Sequence, residues 1–177
     1  MVSVGMLTFN HRNHIRQAVE GVLKQETAFR TELVIHDDAS DDGTTAIVQE
    51  LANEFPNLIR LIIQPVNLTG LGWSIYEIYT KQLLPQLKGK YIAFCEGDDA
   101  WTDPKKLSSQ VEFLEQHENF TICFHTVAIH DDSATEQTKS PTTVFPQTSK
   151  TVFETGDIIA GNFRSEERRV GKECRSR

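Results

Sequence analysis

Leu33-Val34-Ile35-His36-Asp37-Asp38-Ala39-Ser40-Asp41-Asp42-Gly43-Thr44 is the stretch on which the fold turns: an apolar run breaks off into carboxylates and turn residues. A second stretch repeats the pattern, with Tyr91-Ile92-Ala93-Phe94-Cys95 running into Glu96-Gly97-Asp98-Asp99. Apolar runs this short, bounded by turn signals, read as buried strands. Two unit charges about 4 Å apart repel by about 4 kcal/mol at the dielectric of a protein surface. Crowding carboxylates at a strand end is therefore unfavourable unless something offsets their charge. A divalent cation would do so, and hard oxygen ligands suit Mg2+ or Mn2+. The alternative for each run is that the acids only cap the helix that follows, where the helix dipole favours negative charge.

Working outward, strands and helices alternate. Residues 2–8 read as a buried strand. The spacing of Ile15, Ala18, Val19, Val22 and Leu23 predicts a helix over about 12–24, with Asn10 or Asn13 as its cap. A strand over 31–36 leads to a helix over 43–54, whose amides Ser40, Asp41 or Asp42 can cap; Pro56 and Asn57 stop it. A third strand covers 58–63. The loop 64–72 carries Pro65, Asn67, Gly70 and Gly72, and a helix over 73–84 ends before Pro85. Strand four is 91–95. Thr102-Asp103-Pro104 predicts a helix start with proline at the first helical position, running to about His117. A fifth strand is expected over 120–129, a loop over 131–150, a short strand at 151–153 and a helix start at 157–160. This order implies an α/β fold, a mostly parallel sheet flanked by helices with right-handed crossovers. Such sheets bind ligands beyond the carboxyl ends of their strands, at a topological switch point. Thr8-Phe9-Asn10, Asp37-Asp38 and the 96–99 turn all follow strands, so all are expected on one rim.

Residues 164–177 break with the rest. They have no apolar period, and reverse translation of their start fits AGA-TCG-GAA-GAG-CGT, which resembles a common short-read sequencing adapter. The expectation is a natural chain cut near Phe163, followed by a disordered adapter-derived tail. The formal net charge of the whole chain is −7, and without that tail it is −10. A chain this acidic does not bind nucleic acid through a broad basic surface. The 163 residues before the tail suffice for one compact domain. Cys95 and Cys123 sit in apolar runs and read as buried thiols. No run reaches the ~18 apolar residues of a membrane span, and the start is too short for a signal peptide. The expected location is the cytoplasm, with a peripheral place at the inner face of the membrane compatible with it.

Three blocks together, Ser3-Val4-Gly5-Met6-Leu7-Thr8-Phe9-Asn10, then Asp37 to Thr44, then Glu96-Gly97-Asp98-Asp99-Ala100-Trp101, resemble family 2 glycosyltransferases in order and separation. The resemblance covers residues 2 to about 163, the nucleotide-sugar-binding half of such an enzyme. It implies a GT-A fold, a nucleotide-diphosphate-sugar donor with a UDP-sugar favoured, a divalent metal, and inversion at the anomeric carbon. The acceptor would be a glycan, a lipid-linked glycan or a protein. By position, Thr8 and Phe9 would line the nucleobase pocket and Asp38 would accept a hydrogen bond from the base. Asn10 fits the same block, with ordering of the turn as its more natural task. Asp98 would contact ribose or sugar, Glu96 the sugar directly or through water, and Asp99, last in the DXD-like element, would hold the metal. Other readings stand beside these: Thr8 as a strand-end hydroxyl, Phe9 as core, Asp37 as a turn acceptor, and Trp101 as either pocket wall or packing.

Asn67 and Gly70 match the family's loop loosely, and its usual basic residue is not evident there. The general base is expected beyond Phe163; Asp157 is the nearest acid and His125 a strand residue, while His11 and His14 face either the site or water. A fragment without its base would bind donor weakly or not at all and transfer no sugar. A non-catalytic nucleotide-sugar-binding module is the alternative. A sugar nucleotidyltransferase would need a glycine-rich basic loop where Thr8-Phe9-Asn10-His11-Arg12-Asn13 stands. A receiver module would need an aspartate where strand three ends in Ile63-Gln64-Pro65.

Overall fold

The computed structural model describes residues 1–125, 127–129 and 143–145. The chain divides into two compact units, one of Met1–Phe124 and one beginning at His125. In the first, β1 (Val2–Thr8), β2 (Thr31–Asp37), β3 (Ile59–Ile63) and β4 (Tyr91–Phe94) form a parallel sheet in the order β3-β2-β1-β4. The register pairs Thr8 with Asp37 across β1 and β2, and Gly5 with Phe94 across β1 and β4. The chain moves outward from β1 to β3 and then returns to the other side of β1. The switch point therefore falls between β1 and β4.

Alternation along β1 divides the core. Val2, Val4 and Met6 pack with Leu33 and Ile35 against Ile15, Ala18, Val19 and Val22 of α1 (Ile15–Leu23), Val48 and Leu51 of α2 (Thr44–Glu54), and Leu107 of α4 (Lys106–Gln116). Leu7 and Val34 point to the other face, where Ile78 and Leu83 cover them. That cover is not the ordinary helix expected over 73–84. It begins as α3 (Ile75–Glu77), widens into a π-helical stretch (Ile78–Leu83) and closes in a 3-10 turn (Leu84–Gln86). Trp73, Ile78 and Leu83 recur every five residues and all join this second cluster. Residues five apart diverge on an α-helix of 3.6 residues per turn but approach each other on the wider π-helix.

Other expectations shift for local reasons. Neither Asn10 nor Asn13 caps α1: His14 stands at its cap position without a side-chain bond, because a turn bonds the amides of His14 and Ile15 to the His11 carbonyl. Asp42, the acid closest to α2, accepts from the Thr44 amide at 2.9 Å and the Thr44 hydroxyl at 2.6 Å. Pro104 precedes α4 and is not its first residue: the Asp103 carboxylate takes the Lys105 amide at 2.8 Å, and the helix opens at Lys106. The expected strand over 120–129 shrinks to β5 (Val127–Ile129). Phe120 instead joins a ring cluster with Phe113 and His117 that turns the chain after α4.

In the second unit, β5 pairs antiparallel with β6 (Thr143–Phe145), within the segment expected to be loop. The expected strand at 151–153, the helix start at 157–160 with Asp157, Phe163 and the tail at 164–177 lie outside the described residues.

Candidate functional site

The carboxyl edge of the sheet is stitched together by main chain. The Thr8 carbonyl accepts the Asp38 amide at 3.0 Å, and the Leu7 carbonyl accepts the Gly97 amide at 2.8 Å. The end of β1 thus carries the Asp37-Asp38 segment on one side and the 96–99 turn on the other.

On the first side the carboxylates are consumed by turns. Asp37 is fully buried, and its oxygens accept from the Ser40 amide at 3.1 Å, the Ser40 hydroxyl at 2.5 Å and the Thr45 hydroxyl. It is a turn acceptor. Asp38 is also buried and holds the loop after β3: Oδ1 accepts the Leu68 amide at 2.7 Å, while Oδ2 accepts the Thr69 amide at 3.0 Å and the Thr69 hydroxyl at 2.8 Å. The Asn67 side chain donates to the Asp38 carbonyl at 3.1 Å. Hydrogen-bond donors of the turns and of the loop after β3 thus meet the charge that the sequence crowds here.

Asn10 takes a left-handed conformation, φ 56°, which asparagine tolerates better than most residues. Its amide donates to the Ser40 hydroxyl at 2.9 Å, and its side chain exchanges two bonds with Asp41, at 2.9 and 3.0 Å. It orders the turn. Phe9 beside it is 41% exposed on the rim and is not core.

On the second side, the Asp99 amide bonds back to the Glu96 carbonyl at 3.1 Å, closing a tight turn. Gly97 lies against the end of β1 so closely that a Cβ there would sit 2.6 Å from Thr8 Oγ1 and 2.7 Å from His11 Nδ1. His11 bridges the two segments, with Nδ1 3.3 Å from Thr8 Oγ1 and Nε2 3.9 Å from Asp98 Oδ2. Of the two faces left open for His11, it takes the site. Asp98 is partly exposed and Asp99 is 5% exposed. Glu96 accepts a hydrogen bond from the Tyr79 hydroxyl. Trp101 is core: its main chain meets Gly21 of α1, where a Cβ would lie 2.9 Å from the Trp101 carbonyl oxygen, and the Lys106 ammonium lies 4.6 Å from its ring centre.

Tyr79, Leu68 and Thr69 are the contributors that sequence reasoning missed. Among the described residues no group of three or more His, Cys, Asp or Glu side chains could hold a metal alone. The neighbouring Asp98 and Asp99 carboxylates are nevertheless hard oxygen donors of the kind that hold Mg2+ together with substrate phosphates and water. Among the same residues no helix is long and apolar enough to cross a membrane.

The family described as glycosyl transferase family 2 matches residues 3–169. An uncharacterized protein of Mycobacterium tuberculosis is 39% identical over 141 residues, covering 79% of this chain and 39% of that protein. The UDP-Glc:alpha-D-GlcNAc-diphosphoundecaprenol beta-1,3-glucosyltransferase WfaP of Escherichia coli is 30% identical over 120 residues, 68% of this chain and 43% of its own length. The chain thus spans about two fifths of the length of these curated relatives. Among solved structures, a mannosyltransferase of Pyrobaculum calidifontis in complex with GDP-Man and Mn2+ matches with a TM-score of 0.54 at 23% identity, over 64% of this chain and 32% of its own. At that identity the likeness speaks for the fold, the parallel sheet flanked by helices of GT-A glycosyltransferases.

Proposed function

The chain belongs to glycosyl transferase family 2, and from that premise we propose that its sheet edge binds a nucleotide-diphosphate sugar whose sugar passes to an acceptor hydroxyl with inversion. The observation that carries this reading is the gathering of Thr8, Asp38 and the 96–99 turn around the end of β1, at the switch point. Ligands of open α/β sheets bind at such a point.

In this reading Thr8 and the exposed Phe9 ring line the nucleobase pocket. Asp38 fixes the 67–69 loop as the opposite wall, and its carboxylate oxygens retain acceptor capacity for the base beyond the loop amides. Asn10 holds the turn that presents Phe9. Asp98 meets ribose or sugar, and Glu96 meets the sugar. Asp99 would hold Mg2+ or Mn2+, which supplies positive charge where the nucleoside diphosphate departs. A uridine donor is favoured by the family and by the UDP-Glc in the WfaP name. A guanosine donor is the competing case, as in the GDP-Man complex. The acceptor is a glycan, lipid-linked glycan or protein, met on the cytoplasmic side. The proton acceptor for its hydroxyl is placed beyond Phe163, so the 177-residue chain binds donor without turnover.

Calorimetry with UDP, GDP and dTDP, each with and without Mn2+, tests this. One nucleoside diphosphate should bind in a Mn2+-dependent way, and Asp99→Ala should weaken it at least about tenfold while leaving the metal-free affinity alone. Binding indifferent to both Mn2+ and Asp99 would overturn the assignment. Transfer by the 177-residue chain would place the base before Phe163.

A further inference from the structure

We propose that Tyr79 is a positioning residue that aims the Glu96 carboxylate at a hydroxyl of the donor sugar. The inference rests on the donor-site reading above and adds a residue to it from an element without a recognisable motif.

Its ground is local geometry. Tyr79 follows Ile78 in the π-helical stretch, and Ile78 and Leu83 are both buried against Leu7 and Val34. A π-turn is less stable than an α-turn and recurs where function selects it. Here it anchors two residues five apart and sets Tyr79 against β4. The Tyr79 ring meets Phe94 edge to face, with centres 5.0 Å apart and planes at 85°. Phe94 ends β4, two residues before Glu96. The same ring that packs on the strand end therefore sends its hydroxyl to the first acid of the turn beyond it.

The chemistry follows from what each group can do. The Tyr79 hydroxyl donates to Glu96, and burial, reinforced by the Glu96 carboxylate, holds the phenol well above its ordinary range, which keeps that donor proton in place. An ionised carboxylate is acceptor-only, with about four sites on two oxygens. The phenol occupies one of them and removes the rotamer freedom of a long side chain, an ordering cost that a ligand would otherwise meet on binding. What then suits Glu96 is a hydroxyl donor. The phosphates of the donor carry negative charge and are repelled; the sugar carries hydroxyls.

The test uses the 177-residue chain with Mn2+ and compares each bare nucleoside diphosphate with its sugar conjugate: UDP against UDP-glucose and UDP-N-acetylglucosamine, and GDP against GDP-mannose. The wild-type chain should bind one conjugate more tightly than its bare nucleotide. Tyr79→Phe keeps the ring on Phe94 and removes only the hydroxyl. It should leave bare-nucleotide affinity within about twofold and weaken the conjugate about tenfold. Glu96→Gln should do the same, and the double variant should lose no more than either alone. Equal weakening of nucleotide and conjugate, or a lowered melting temperature with the ratio unchanged, would reduce Tyr79 to packing and overturn the proposal. If Tyr79→Phe fails to fold, Glu96→Gln still decides, because an unchanged ratio there refutes a sugar contact. A wild-type chain that binds nucleotide but gains nothing from any sugar overturns this inference alone. A chain that binds no nucleoside diphosphate overturns the donor site beneath it as well.

Discussion

The two acidic runs look alike in sequence and stand on the same edge of the sheet, yet they meet different partners. In the run after β2, buried Asp37 accepts from two hydroxyls and an amide, buried Asp38 from two amides and a hydroxyl, and the half-buried Asp42 from the amide and hydroxyl of the first residue of α2. In the run after β4, a glycine is pressed on the end of β1, Glu96 is steadied by a phenol, and Asp98 faces a histidine. Charge density alone does not identify a cation site: in the first run the turns and the loop after β3 supply hydrogen-bond donors to the buried carboxylates. The first run builds the walls of the site, and the second holds the groups proposed to meet metal and sugar.

Substitutions that separate stability from ligand response test that division. Asp37→Ala should have the largest effect, because it removes the buried carboxylate that an amide and two hydroxyls share. About 3 kcal/mol should be lost in urea unfolding, while Mn2+-dependent nucleotide affinity of the folded protein moves less than about threefold. The reverse outcome, stability kept and Mn2+ response lost, would break the comparison by giving the first run the role assigned to the second. Gly97→Ala should come next, at about 2 kcal/mol, since its methyl group would fall within 2.6 Å of Thr8 Oγ1 and 2.7 Å of His11 Nδ1. Unlike Asp37→Ala, it should also weaken nucleotide binding, because relief of the clash must move Thr8, His11 or the turn itself. Calorimetry beside the unfolding curve separates the two results.

What the sequence made legible follows the range of the interaction. β1 to β4 are readable because a buried strand needs a short apolar run, and α1 and α2 because Ile15, Ala18, Val19 and Val22, or Val48 and Leu51, recur with the period of a helix. The shared edge follows from topology. The pairing of Asp38 with Leu68 and Thr69, about 30 residues away, and of Glu96 with Tyr79, 17 residues back, left no local signal. The π-helical stretch had one, the five-residue spacing of Trp73, Ile78 and Leu83, which a search for 3.6-residue periods passes over. The start of α4 moves past Pro104 because Gln25, just after α1, takes the partners of the first helical bond: its side-chain oxygen accepts the Leu107 amide at 3.0 Å and its side-chain nitrogen donates to the Asp103 carbonyl at 2.8 Å.

The smallest expected effect comes from beneath the first run. His36 is fully buried on β2, with Nε2 2.9 Å from the Gln64 side-chain nitrogen, which can only donate to it. Burial lowers its proton affinity, and the neighbouring Asp38 and Asp37 carboxylates offset only part of that. The unfolded chain therefore takes up this proton near its ordinary value of 6.5, while the folded chain takes it up only at lower pH. Where the unfolded state binds more protons, stability rises with pH; the contribution is present above pH 6.5 and is lost as pH falls through the folded value. Glu32 and Asp42 are also held below their ordinary values of 4.5 and 3.8, so their losses begin in more acid solution. Just below pH 6.5 is therefore a window in which protonation of His36 lowers stability, with a slope of at most about 1.4 kcal/mol per pH unit. Urea midpoints across that window should fall for the wild-type chain and flatten for His36→Leu. An unchanged slope in the variant would show that the strand beneath Asp37 and Asp38 accommodates the charge, and that the first run is less closed than its hydrogen bonds imply.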